Sequence, residues 1–249
     1  ASVYLLLSGE GLSDIGACQS AGQLLCVRLQ FQAGPMAIVI DQLVEMFQGF
    51  EMSHLETERV TYVSEGYLAA HRAKSSRKAM ALKGKKKPAE TKYFYENARA
   101  LALAAKKMSE EINDVVIAIL FRDADGTASA GRGLWQDKYN SVNTGFKSED
   151  FQTGVAMVPK PKSEAWILCA TKENPYQHCA LLEASSGNDK AAHSLKSQFE
   201  SSLNNKSGRL DINELLHSHT IDITKIDMPS FNCFKQDLQT VVQVVVGNL

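Results

Sequence analysis

The sequence lacks several features that would assign it to a class of proteins at once. It contains 27 Lys and Arg residues against 28 Asp and Glu residues, so its formal net charge is −1. A charge near zero gives no global sign of a nucleic-acid or membrane-surface protein, and any such contact must use a local patch. No run of about 18 apolar residues is present, so no transmembrane helix is expected. The first apolar run is short and has no basic leader, so no signal peptide is expected.

Cysteine is also scarce. The chain has five cysteines and no CxxC motif. An odd, scattered set fits a reduced cytoplasmic protein better than a disulfide framework, so a cytoplasmic location is predicted. A zinc site formed by Cys169, His178 and Cys179 is a weaker alternative, because that spacing matches no common ligand pattern.

Apolar runs typical of buried strands alternate with helical patterns along the first two thirds of the 249 residues. Predicted strands cover residues 2–8, 58–64, 115–121 and 154–159. Predicted helices begin near Ser13, after Pro35, at residues 66 and 91, and near Ser163. The remainder, from residue 176, reads as mostly helical, with one strand at 219–226 and a last helix from about Phe231. The alternation predicts an α/β fold with a mostly parallel sheet of about four strands flanked by helices.

Acidic side chains follow two of these predicted strands. Glu10 and Asp14 come after the first strand, and Asp123 and Asp125 come after the strand at 115–121. Because right-handed crossovers bring the carboxyl ends of parallel strands to one edge, these carboxylates should converge. Converging carboxylates repel one another unless a divalent cation lies between them. The pattern therefore predicts a magnesium-dependent enzyme that acts on phosphate esters.

Glycine flanks the first of these acids. Gly9 and Gly11 lie on either side of Glu10, and Gly126 follows Asp125. Gly126 is expected to permit the turn that lets the two aspartates share a site. Gly9 and Gly11 are expected to let the backbone approach a phosphate closely.

Both acidic motifs resemble those of the Toprim fold, which topoisomerases, primases and OLD-family nucleases share. The segment Gly9-Glu10-Gly11-Leu12-Ser13-Asp14 resembles the Toprim glutamate motif, and Asp123-Ala124-Asp125-Gly126 resembles its DxD motif. The segment 161–166 and the helical C-terminal part are similar to small stand-alone Toprim-like bacterial proteins, some encoded beside ABC-type or AAA-type ATPases in antiphage defence operons. The resemblance implies a catalytic domain at 1–170 with a basic helical insertion around 66–112, and a helical extension at 171–249.

The resemblance also implies roles for individual residues. The implied metal ligands are Glu10, Asp14, Asp123, Asp125 and Glu164. Glu10 would also act as a general base or acid, and Lys160 or Lys162 would steady the charge on the phosphate. Here the order Lys162-Ser163-Glu164 replaces the serine-proline-glutamate order of the OLD-type enzymes. The implied activity is Mg²⁺- or Mn²⁺-dependent cleavage of DNA or RNA by a toxic effector, with an ATPase partner, no membrane contact and room for a homodimer.

A second interpretation starts from the same aspartates. Asp123-Ala124-Asp125-Gly126-Thr127 is also a literal DxDGT, the motif of haloacid-dehalogenase-type phosphatases, in which Asp123 would be the nucleophile. That motif usually opens its domain, whereas here about 120 residues precede it. The acidic loop that should follow is represented only by residues 187–189, and the interpretation leaves residues 8–14 unexplained. A third interpretation is a binding or regulatory module whose acids hold an ion without catalysis.

A basic stretch near the middle of the chain could bind nucleic acid. Positively charged residues are concentrated in the segment 72–92, where Glu90 is the sole acid. The residues predicted to contact phosphate are Arg72, Lys74, Arg77, Lys78, Lys85, Lys86 and Lys87, together with Arg132 in the loop after the DxD motif. A solvated helix–loop–helix is the alternative. Residues 93–95, which are aromatic, are expected to turn into the core.

Overall fold

The fold is built from seven strands and eight helices within the residues that a computed structural model of the chain describes, 3–73, 89–124, 135–203 and 209–247. The strands are β1 Tyr4–Gly9, β2 Gly16–Cys18, β3 Leu25–Val27, β4 Phe31–Ala33, β5 Val60–Val63, β6 Val116–Phe121 and β7 Gly154–Met157. The helices are α1 Pro35–Gln48, α2 Glu65–Ala70, α3 Ala89–Ile112, α4 Trp135–Ser148, α5 Ser163–Thr171, α6 Leu195–Ser202, α7 Arg209–His217 and α8 Pro229–Gly247.

The main sheet has the strand order β3-β5-β1-β6-β7. β1 pairs in parallel with both β5 and β6, β7 extends the parallel part, and β3 is an antiparallel edge strand. The predicted α/β class with a mostly parallel sheet and flanking helices is therefore confirmed, with a fifth strand added. The chain leaves β1 toward one side for β5 and then crosses to the other side for β6. The crevice between β1 and β6 is thus the topological switch point, where open α/β sheets bind ligands.

Helices cover both faces of this sheet because its central strands are apolar on both sides. One face packs against α1, α5 and α8, and the opposite face packs against α3 and α4. Trp166 of α5 is fully buried between the sheet and α8, where its ring contacts Phe231 and Phe234. Its indole N–H donates a hydrogen bond to Ser230 Oγ over 2.9 Å. This packing fixes the start of α5 relative to the strand ends.

Two predicted elements are wrong. The helix expected from Ser13 is a single π-helical turn, Gly11–Ile15, followed directly by β2. Gly16 ends the turn with φ 112°, and a Cβ there would lie 2.2 Å from the backbone oxygen of Gln32, so only glycine fits where the turn meets β2. The strand expected at 219–226 is instead a 3₁₀ turn, in which the Asp222 side chain accepts a hydrogen bond from the Thr224 N–H.

The cysteines also depart from the prediction. Cys18 bonds to Cys26, and Cys169 bonds to Cys179. Their Cα atoms lie 5.8 and 5.3 Å apart, because short local turns bring each pair together within the usual disulfide range. The expectation of unpaired cysteines is therefore wrong, and so is the zinc alternative, which needs Cys169 and Cys179 as thiolates. Cys233 forms no disulfide.

None of the helices in the described part of the chain combines the length and the apolar character that crossing a membrane requires.

Gly34, at the start of α1, generates the first prediction. A Cβ at this position would lie 2.2 Å from the backbone oxygen of Asp14 and 2.8 Å from the nitrogen of Gly16. Gly34→Ala should therefore displace the turn that carries Asp14 and lower the free energy of unfolding by about 1–3 kcal/mol, measured by urea denaturation. Gly247→Ala is the control, because a Cβ there meets nothing within 4 Å. Equal stability of the two variants would contradict the packing described.

Candidate metal centre

Three carboxylates meet at the carboxyl edge of the sheet. Asp14, Asp123 and Glu164 each place one carboxylate oxygen within 4.8 Å of the others. They lie after β1, after β6 and at the start of α5, which follows β7. The three strands are neighbours in the sheet, so the topology itself brings these acids together. Such a group can hold a metal ion, and an all-carboxylate donor set favours a hard cation such as Mg²⁺, Mn²⁺ or Ca²⁺.

Ser163 joins two of the three acids. Its backbone N–H donates a hydrogen bond to Asp123 Oδ1 over 2.9 Å, and its hydroxyl donates to Asp14 Oδ1. Ser163 is buried and is the first residue of α5, so its N–H belongs to the positive end of the helix dipole. The side chains of Asp14 and Asp123 are therefore oriented by one residue on a rigid helix.

Asp14 is the acid whose ionisation the site disturbs most clearly. Its pKa is raised to about 6, mainly by burial and also by the charges of Glu164 and Glu10, while the hydrogen bond from Ser163 acts in the opposite direction. Lys162 lowers it. Ionising Asp14 beside other carboxylates therefore costs free energy. A cation bound between them would offset this cost.

Glu10 is close to this cluster but is held by an arginine. Arg122 Nη2 lies 3.6 Å from Glu10 Oε2, and Arg122 Nη1 lies 2.6 Å from Glu65 Oε1. The guanidinium packs over the rings of Tyr93, at 4.4 Å, and Phe94, at 5.5 Å. Burial alone would lower the pKa of Arg122, but Glu65 and Glu10 outweigh burial and leave the pKa raised. Glu10 therefore has a fixed cationic neighbour, and it is not one of the three grouped acids.

The two candidate lysines are placed differently. Lys162 is half-buried, and its Nζ lies 3.2 Å from Asp189 Oδ1. Its positive charge also lowers the pKa of Asp14. The side chain of Lys160 is exposed. Of the two, Lys162 is the one whose charge the structure places against the carboxylate cluster.

One of the predicted nucleic-acid contacts lies within the described residues. Arg72 is exposed just after α2. Asp125 lies outside the described residues. The remaining basic residues also lie outside them: Lys74, Arg77, Lys78, Lys85, Lys86, Lys87 and Arg132.

Several residues that shape the site were not predicted from the sequence. Ser163 and Arg122 are each next to a predicted ligand in the sequence, so that position could have identified them as site residues. Lys138, fully buried on α4, donates a hydrogen bond to the backbone oxygen of Ala124, directly after Asp123. Helical periodicity gives no warning of a buried lysine. Gly9 also has a packing role that was not expected, because a Cβ there would lie 2.6 Å from the backbone oxygen of Phe121. It permits close packing of β1 on β6.

Comparisons with protein-family models, with curated proteins and with solved structures found no match to this chain.

The raised pKa of Asp14 predicts how metal affinity depends on pH. A cation binds the ionised carboxylate, so binding must release the Asp14 proton below pH 6. The affinity for Mn²⁺, measured by titration calorimetry, should rise about tenfold per pH unit up to pH 6 and then level off. Asp14→Asn should remove this pH dependence and weaken binding. Asp137→Asn, which alters an exposed aspartate on α4, is the control. Binding that is independent of pH in the unaltered protein would contradict the site.

The metal-free protein should respond to pH with the opposite sign. A carboxyl whose pKa is raised on folding stabilises the fold below its unfolded pKa, near 4, and this contribution is lost as the pH rises through about 6. The unfolding free energy of the unaltered protein should therefore fall between pH 4 and 7 relative to that of Asp14→Asn. Denaturation in the presence of a chelator measures this difference, and a difference that is constant with pH would contradict the burial of Asp14.

Proposed function

We propose that this chain is a divalent-metal-dependent nuclease with a Toprim-like core. One observation carries the proposal: carboxylates from three adjacent strand ends meet within 4.8 Å at the switch point of a parallel sheet. The order of the acids along the chain supports it, because Glu10 and Asp14 follow the first strand and Asp123 follows the third strand of the parallel set. Asp125, the second acid of the DxD motif, would complete the ligand set.

In this proposal the chain's own residues divide the work. Asp14, Asp123 and Glu164 hold Mg²⁺ or Mn²⁺, with Ser163 fixing the first two. A bound ion of this kind supplies an activated water and stabilises charge on the leaving oxygen. Glu10 serves as the base that accepts the proton of the attacking water, and Arg122 holds its carboxylate in place near the ligands. Lys162 contributes positive charge at the phosphate.

A polynucleotide substrate needs further positive charge along its backbone. Arg72 and the basic residues that follow it, together with Arg132, are proposed to bind phosphates without regard to base sequence. The chain is further proposed to act as an antiphage effector controlled by an ATPase partner. This last step rests on the family resemblance alone.

One observation favours the phosphatase alternative. Asp189, from the segment 187–189 that this alternative needs as its acidic loop, lines the same cleft as Asp14 and Glu164 and pairs with Lys162. In that mechanism Asp123 would attack phosphorus directly. However, one oxygen of Asp123 accepts the Ser163 N–H, and the mechanism gives no role to Asp14. The nuclease explains more of the site.

Cleavage assays separate the two mechanisms. Plasmid DNA, single-stranded DNA and tRNA are incubated with Mg²⁺ or Mn²⁺, with and without any co-encoded ATPase. Glu10→Gln, Asp123→Asn and Glu164→Gln should each reduce cleavage at least about hundredfold, because each removes a proposed ligand or base. Asp137→Asn should cleave as the unaltered protein does.

Two other patterns of activity would favour one of the alternatives over the nuclease. Turnover of p-nitrophenyl phosphate that is lost in Asp123→Asn and retained in Glu10→Gln, with no polynucleotide cleavage under any condition, would replace the nuclease with the phosphatase. Inactivity on both substrate classes, with Mn²⁺ binding retained, would leave the non-catalytic metal-binding module.

A further inference from the structure

A cleft opens directly beside the carboxylate cluster. Its volume is about 310 Å³, and Asp14, Ser163 and Glu164 form one end of it. The start of α1 forms a second wall, and α6 and α7 form the third, so the helical C-terminal part of the chain closes the cleft. A group bound at Asp14 and Glu164 would therefore adjoin this cleft.

The cleft wall combines apolar and acidic side chains. Its apolar lining residues are Pro35, Met36, Ile167, Phe199 and Ile212. Its acids beyond the cluster are Asp189 and Glu200, and Lys196 at the start of α6 is exposed. Lys162 pairs with Asp189 and so offsets part of its charge, which leaves Glu200 as the second acid of the cleft wall.

This composition selects for a particular kind of ligand. A phosphate would be repelled by Glu200 and Asp189, whereas a flat, uncharged ring with N–H donors can pack on the apolar wall and donate to Glu200. The volume is near the lower limit of about 300 Å³ for ligand pockets, so it suits one nucleotide unit. A duplex, whose bases are stacked and paired, cannot place one base there without unpairing it.

We propose that this cleft binds the base of a single unpaired nucleotide while the adjoining phosphodiester lies at the carboxylate cluster, so that the substrate is single-stranded nucleic acid or an unpaired loop. The proposal rests on the proposed nuclease function for the position of the phosphodiester. Beyond that function, the proposal specifies the class of substrate. It also predicts a preference for bases that carry an exocyclic amino group, which are adenine, cytosine and guanine, over thymine or uracil.

A binding measurement in Ca²⁺ tests the cleft without requiring cleavage. Fluorescein-labelled eight-nucleotide strands of DNA and RNA, and the same sequences as duplexes, are titrated by fluorescence anisotropy. The unaltered protein should bind the single strand at least about tenfold more tightly than the duplex. Glu200→Trp, which fills the cleft, should lose this preference. Gln198→Trp is the matched control, because Gln198 is equally half-exposed on α6 but lines a different cleft. Glu200→Gln should reduce the preference of oligo-dA and oligo-dC over oligo-dT.

The outcomes separate this proposal from the nuclease itself. Equal or tighter binding of duplex by the unaltered protein, no binding of the single strand, or unchanged single-strand binding by Glu200→Trp would each overturn the cleft as a base site. Cleavage in Mg²⁺ that persists in any of these cases would leave the nuclease standing with a different substrate. Single-strand binding that Glu200→Trp abolishes, with no cleavage in Mg²⁺ or Mn²⁺, would support the cleft and defeat the nuclease.

Discussion

Mutual repulsion among carboxylates at one edge of the sheet is the constraint around which this molecule is arranged. Asp14, Asp123 and Glu164 lie within 4.8 Å of one another, and burial with neighbouring acids raises the pKa of Asp14 to about 6. Like charges so close destabilise a fold unless something holds them. Here Ser163 holds two of them at a helix N-terminus, and Arg122 holds the nearby Glu10. A bound cation would supply the remaining stabilisation.

The rest of the fold serves to keep this arrangement rigid. The acids follow strands that are neighbours in the sheet, and those strands are buried between two helical layers. Trp166 anchors α5 against α8, so the helix that carries Ser163 and Glu164 cannot shift independently. Gly34 allows α1 to begin directly beneath the turn that carries Asp14. Side chains fixed on packed elements hold a metal or substrate more precisely than side chains on loops.

The sequence was a good guide where apolar runs and chain order decide the structure. Apolar runs predicted the strands β1, β5, β6 and β7. Helical spacing and composition predicted the helices α1 and α3. Local turn geometry was harder to foresee: the single turn at 11–15 and the short strands up to residue 33 depend on close contacts at Gly16 and Gly34. The disulfides depend on the geometry of short local turns, which the spacing of the cysteines does not reveal. The three clustered acids were among the five ligands that the resemblance implied, but the separation of Glu10 from them and the role of Ser163 required the three-dimensional arrangement.

The central claim is that the three acids form one metal centre, and a crystal grown with Mn²⁺ tests it most directly. Diffraction data collected at the manganese absorption edge should give an anomalous difference peak between the carboxylates of Asp14, Asp123 and Glu164, and the peak should vanish in Asp123→Asn. No peak at a saturating Mn²⁺ concentration at pH 7, or a peak only elsewhere on the molecule, would contradict the account.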